Sequence, residues 1–207
     1  MVKVGRMYLA KYMTPDSLDD IRELCRNSNE PVNHVYLHWT AGWYGQAYDD
    51  YHICIDKDGE IYIMCDSIND YLQHTYRRNS YSVGVSLMCC AEAVANNGYD
   101  ADFGPEPVTA SQIESMAQVV AVLSSEFNLN LSNPDDIMTH YEAACLDGYG
   151  VPYGTYVNGV YQGDSDSRWD LWYIPDFYGQ GGKMVAGGDL IRGKAAFYIR
   201  EWGTGGD

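Results

Sequence analysis

Two histidines and an aspartate stand out by type and setting. His38 lies in Val35-Tyr36-Leu37-His38-Trp39-Thr40-Ala41-Gly42, His140 in Met138-Thr139-His140-Tyr141-Glu142, and Asp170 in Arg168-Trp169-Asp170. A lone histidine ending an apolar strand is usually structural. Two of them and an aspartate, each at an apparent strand end or loop, make a candidate three-ligand zinc site. Catalytic zinc takes three protein ligands and keeps a fourth position for water. His34 shares a strand face with His38, but four residues along a strand span roughly 13 Å. Both cannot bind one metal at about 2.1 Å, so His34 is expected at a face or edge.

The elements that must hold these groups follow from periodicity. Residues 14–26 read as a helix, with Pro15 in its first turn and Leu18, Ile21, Leu24 and Cys25 at helical spacing. Val32 to His38 reads as a strand. Tyr51 to Ile55 and Glu60 to Met64 read as a hairpin about Asp58-Gly59. Val83 to Cys89 is a further strand, with Val83, Val85 and Leu87 on one face and Gly84, Ser86 and Met88 on the other. The clearest helix is 111–127, where Ile113, Met116, Ala117, Val120, Leu123 and Phe127 form an apolar stripe. Thr109 with Gln112, or Ser111 with Glu114, offers it a capping box. Ile137 to His140 reads as a short strand, 146–167 as a long loop rich in Gly, Tyr and Asp, and Leu190 to Trp202 as a C-terminal helix. Gly203-Thr204-Gly205-Gly206 reads as a flexible end. Strands interspersed with helices predict an α/β fold, and the length suits one domain over 1–207.

Charge narrows the function classes. The chain has 13 basic and 29 acidic residues among 207, a net charge of −16. No basic block is present, which disfavours nucleic acid, and anionic membrane surfaces should repel the chain. The start, Met1-Val2-Lys3-Val4-Gly5-Arg6-Met7, has no apolar core or small-residue cleavage site, so no secretory signal is expected, and no transmembrane run is seen. The cysteines Cys25, Cys54, Cys65, Cys89, Cys90 and Cys145 are expected to be reduced and mostly buried.

Four blocks in order carry a resemblance: His38-Trp39-Thr40-Ala41; Tyr51-His52-Ile53 through Asp58-Gly59; His74-Thr75 through Asn79-Ser80-Tyr81-Ser82-Val83-Gly84-Val85; and Thr139-His140 followed by Asp170. Over residues 35–170 the chain resembles the type-2 N-acetylmuramoyl-L-alanine amidases, a superfamily that includes peptidoglycan recognition proteins and amidase-type phage lysozymes. The resemblance implies a mixed central β-sheet flanked by helices, with Zn2+ in a groove. Residues 146–167 then become an insertion and 171–207 a C-terminal extension.

The resemblance also implies roles. The family's third ligand is Cys or Asp and lies closer to the second histidine, whereas 29 residues intervene between His140 and Asp170 here. Cys145 therefore competes with Asp170, ahead of Asp164 and Asp166, while Glu142 is expected to be structural or to support the ligands. Tyr51 matches a tyrosine that can hydrogen-bond the zinc water or the oxyanion; the alternative is a packed strand aromatic. Some relatives carry a catalytic glutamate where this chain has Ser86, so no glutamate base is transferred. Arg168 is expected to stabilise the oxyanion, or else to form a surface ion pair with Asp164 or Asp166. His74 is expected to contact substrate or to serve as a cap. Trp39, Trp43, Tyr44 and the Tyr-rich 149–161 segment are expected to wall the groove.

The implied activity is hydrolysis of the amide between N-acetylmuramic acid and L-alanine, with peptidoglycan or a muropeptide as substrate. A monomer is expected, made in the cytoplasm and acting on the cell wall after holin-type release or dedicated export, as a phage endolysin or other lytic enzyme. The competing class is a recognition module that binds peptidoglycan without cutting it. A structural zinc domain would want four closed ligands, and no such set is evident.

Overall fold

The structure, a computed structural model, describes residues 5–97, 100–151, 155–157, 160–162, 168–179 and 181–204. In chain order these form β1 (Met7–Leu9), a 3-10 turn at Ala10–Tyr12, α1 (Leu18–Arg26), β2 (His34–Trp39), β3 (Gln46–Tyr48), β4 (Ile53–Ile55), β5 (Ile61–Ile63) and β6 (Ser82–Leu87). Then come β7 (Val94–Asn97), β8 (Asp100–Asp102), α2 (Ala110–Phe127), β9 (Ile137–Thr139), α3 (His140–Asp147), β10 (Thr155–Val157), β11 (Val160–Gln162), β12 (Tyr173–Pro175), β13 (Met184–Ala186) and α4 (Gly187–Thr204).

The central sheet is mixed, with strand order β5-β4-β6-β2-β9. Strands β4, β6, β2 and β9 run parallel to their neighbours, and β5 closes one edge antiparallel to β4. Side chains alternate between the two faces of such a sheet. Val35, Leu37 and Trp39 of β2, Ile53 and Ile55 of β4, and Val83, Val85 and Leu87 of β6 share one core with Ile21, Ile113, Met116, Val120 and Leu123. Helix α2 packs against this face and also against α1 and α4. The opposite face carries Tyr36 and His38 of β2 and Gly84 and Ser86 of β6. Pairing sets Tyr36 beside Gly84 and His38 beside Ser86. That polar face holds the candidate site.

Several predicted boundaries move for local reasons. Helix α1 starts at Leu18 instead of 14, because Ser17 caps it and exchanges hydrogen bonds with Asp20. Asp16 is already tied to the sheet, its N–H donating to the Ile61 carbonyl. Helix α2 takes the Thr109–Gln112 capping box of the two read from the sequence. The strand expected to reach His140 stops at Thr139, which caps a helix that was not foreseen: its side chain accepts from Glu142 N–H, and Glu142 accepts from Thr139 N–H. His140 is therefore the first residue of α3. The expected loop 146–167 begins inside α3 and contains the antiparallel pair β10–β11; its remaining residues beyond 151 lie outside the described ones. The C-terminal helix starts at Gly187 instead of Leu190 and still includes Gly203 and Thr204, where a flexible end was expected. All six cysteines are free thiols, four of them buried.

Candidate active site

Three elements converge on the polar face. Strand β2 ends by presenting His38, α3 begins with His140, and a turn that includes residues 168 and 170 presents Asp170. One ligand atom from each of His38, His140 and Asp170 lies within 4.8 Å of the others. Asp170 Oδ2 is 3.2 Å from His140 Nδ1 and 3.4 Å from His38 Nδ1. His38 is fully buried and Asp170 is 6% exposed. Burial, followed by the nearby His140, pushes the His38 imidazole down to about 4, so it is neutral at pH 7. Burial alone would raise the Asp170 carboxyl, but His140, its hydrogen-bond partner, and the adjacent His38 ring hold it well below the usual carboxylate range. A neutral imidazole and an ionised carboxylate are the forms that bind zinc.

The fit to a metal rests on an orphaned atom. His38 Nδ1 is buried and has no hydrogen-bond partner among the described residues, although such atoms are normally satisfied. It points into the space shared with Asp170 and His140. Two imidazoles and a carboxylate suit a tetrahedral zinc site with one position left over. Cys145, the competing third ligand, is not in this group. It lies five residues beyond His140 on α3, about 140° around the helix axis.

Tyr51 borders the same space, its ring centroid 5.1 Å from that of His38. Burial pushes its hydroxyl well above the usual phenol value, with Ser86 acting weakly the other way. It is a protonated donor at neutral pH. His74 is only 6% exposed, so it is not an open substrate contact. Its ring packs 5.5 Å from that of His38, and its Nδ1 lies 3.0 Å from Thr75 Oγ1. Trp39 is 3% exposed and packs on Trp169, centroids 4.7 Å apart, inside the core. The residue after His38 on a strand must face the other way, so Trp39 cannot wall a groove beside the triad. Trp43 is exposed in the segment after β2 and keeps that possibility.

Arg168 lies with its guanidinium carbon 4.2 Å from the Tyr149 ring centroid, and Tyr149 stacks on Tyr76 at 3.8 Å. Residues 168–170 are a turn rather than extended chain. His34 binds the Asp135 carbonyl through Nδ1 and stays outside the metal group. Glu142 caps α3 and pairs with Arg192. Asp164 and Asp166, and residues 152–154 and 158–159 of the 149–161 segment, lie outside the described residues.

Sequence reasoning gave no role to three groups that support the site. His52 is fully buried, accepts from Gly84 N–H at Nδ1 and donates from Nε2 to the Asp70 carbonyl. Thr75 Oγ1 contacts His38 Nε2 at 3.2 Å. Arg192 of α4 donates to the Ile137 carbonyl and to both carboxylate oxygens of Glu142. Only the Thr-x-x-Glu pattern at 139–142 gave a readable signal nearby.

Residues 28–151 match the family model described as N-acetylmuramoyl-L-alanine amidase. The chain belongs to that amidase family. Solved structures similar to it include the endolysin N-acetylmuramoyl-L-alanine amidase LysCS from Clostridium intestinale, 21% identical over 66% of this chain and 78% of that one, TM-score 0.41. The Ph2119 endolysin from a Thermus scotoductus bacteriophage is 17% identical, over 56% and 75%, TM-score 0.42. The PGRP-Hd of Alvinella pompejana is 16% identical, over 54% and 73%, TM-score 0.36. No curated protein matches the chain. The family assignment rests on the matched residues and not on these distant likenesses.

Proposed function

We propose that this member of the amidase family is a zinc-dependent hydrolase that cuts the amide between N-acetylmuramic acid and L-alanine in peptidoglycan. The observation that carries this reading is the His38–His140–Asp170 group, with its orphaned imidazole nitrogen on a buried polar face. Zinc held there supplies a water acidic enough to ionise near neutrality and a Lewis acid for the scissile carbonyl. The chain's own residues supply the remainder. His38 and His140 present imidazole nitrogens, and Asp170 contributes a fixed negative charge. The Tyr51 hydroxyl donates a hydrogen bond to the oxygen that becomes negative as the carbonyl is attacked. The Arg168 guanidinium packs on the Tyr149 ring, and the oxyanion contact is assigned to Tyr51.

Digestion of purified peptidoglycan tests the reaction. Free stem peptides with a new L-alanine amine and an intact glycan are the expected products by mass spectrometry. New reducing sugar ends without new amines would mean a glycosidase. Binding without products would mean a recognition module. Action on the cell wall after holin-type release is part of the same proposal. Expressing the chain in a bacterial host with and without a holin checks it, lysis being expected only with the holin.

A further inference from the structure

We propose that Thr75 and His74 are positioning residues, forming a one-directional hydrogen-bond chain that holds His38 in the tautomer and orientation needed to bind metal. The chain runs from His38 Nε2 to Thr75 Oγ1 at 3.2 Å and on to His74 Nδ1 at 3.0 Å. It continues from His74 Nε2 to Ser82 Oγ at 3.5 Å and ends at the Arg78 carbonyl, 2.8 Å from Ser82 Oγ. All four side chains are buried.

Its direction follows from its end. A carbonyl only accepts, and a serine hydroxyl has a single proton. Ser82 must therefore give that proton to Arg78 and accept from His74 Nε2–H. A neutral His74 with its proton on Nε2 has a bare Nδ1, which accepts from the Thr75 hydroxyl. Thr75 has then used its only proton and accepts from His38 Nε2–H. A neutral His38 with Nε2–H has its lone pair on Nδ1, the orphaned atom aimed at Asp170 and His140. Gly84 makes room for the chain: a Cβ there would lie 2.6 Å from His74 Cγ. A metal-binding imidazole whose other nitrogen is fixed binds more tightly than a free one.

The proposal rests on the zinc reading above, so two measurements on the full chain separate them. The first is imidazole nitrogen–proton correlation by NMR in zinc-free protein at neutral pH. His38 and His74 should both carry their proton on Nε2; an Nδ1–H tautomer at either ring overturns the chain. The second is zinc affinity by chelator competition. Thr75→Val removes the hydroxyl at nearly constant volume and should weaken zinc binding about 10–100-fold, while Thr75→Ser should stay close to wild type. Zinc affinity unchanged in Thr75→Val, or equally weakened in both variants, overturns the positioning role alone. Wild-type protein that holds no zinc overturns both readings. Should Thr75→Val fail to fold, the tautomers of the wild type still decide.

Discussion

At the residue scale, the catalytic reading turns on what each group can donate or accept. Tyr51→Phe removes one hydroxyl and leaves the ring that packs beside His38. Loss of a transition-state hydrogen bond should lower turnover on the order of 10²-fold, with zinc content unchanged; a near-normal rate would make Tyr51 a packing residue. His52 makes a different prediction. Its Nδ1 already accepts from Gly84 N–H, so protonation there would set two donors against each other. Burial, opposed by the Asp70 contacts, lowers its imidazole to about 4. The folded value lies below the unfolded one, near 6.5. The unfolded chain therefore binds the extra proton first, and stability present above pH 6.5 is lost as pH falls toward 4. The share is on the order of 3 kcal/mol. Denaturant unfolding of wild type and His52→Gln across that window measures it; equal pH slopes would contradict it.

At the element scale, α3 is held from outside the segment that carries it. Thr139 and Glu142 cap its first turn, and Arg192 reaches from α4 to Glu142 and to the carbonyl of Ile137, the first residue of β9. Arg192 is 7% exposed, so its replacement removes a buried donor from the Ile137 carbonyl and the cation paired with Glu142. Arg192→Ala should cost on the order of 3 kcal/mol and weaken zinc binding, because the turn it braces presents His140. Thermal unfolding and chelator titration check both; an unchanged zinc affinity would confine Arg192 to stability. The sequence made the long periodic elements readable: α2 with its stripe and cap, the β4–β5 hairpin about Asp58-Gly59, and the two faces of β6. The Thr139–Glu142 cap has a local signal in the sequence too, but the Ile137 to His140 strand reading passes over it because Ile137 and Met138 are apolar. Trp39 was assigned to the groove although strand alternation next to His38 already turned it into the core. Arg192 and Thr75 were not readable, because their roles exist only through partners 50 and 37 residues away.

At the scale of the whole molecule, the family match ends at 151 while the site does not. Asp170 and Arg192 come from the C-terminal part, and α4 packs on α2. A chain cut after residue 151 should therefore lose zinc as well as stability. Retention of stoichiometric zinc by that fragment would show the third ligand to be elsewhere. No helix among the described residues is long and apolar enough to cross a membrane.

The most direct measurement is zinc per chain, by elemental analysis of protein prepared without chelator, for wild type and three single variants. One zinc is expected in wild type and in Cys145→Ala, with a substantial loss in His140→Ala and in Asp170→Ala. Zinc retained in Asp170→Ala and lost in Cys145→Ala would contradict the ligand set. Equal zinc in wild type and His140→Ala would contradict the site itself.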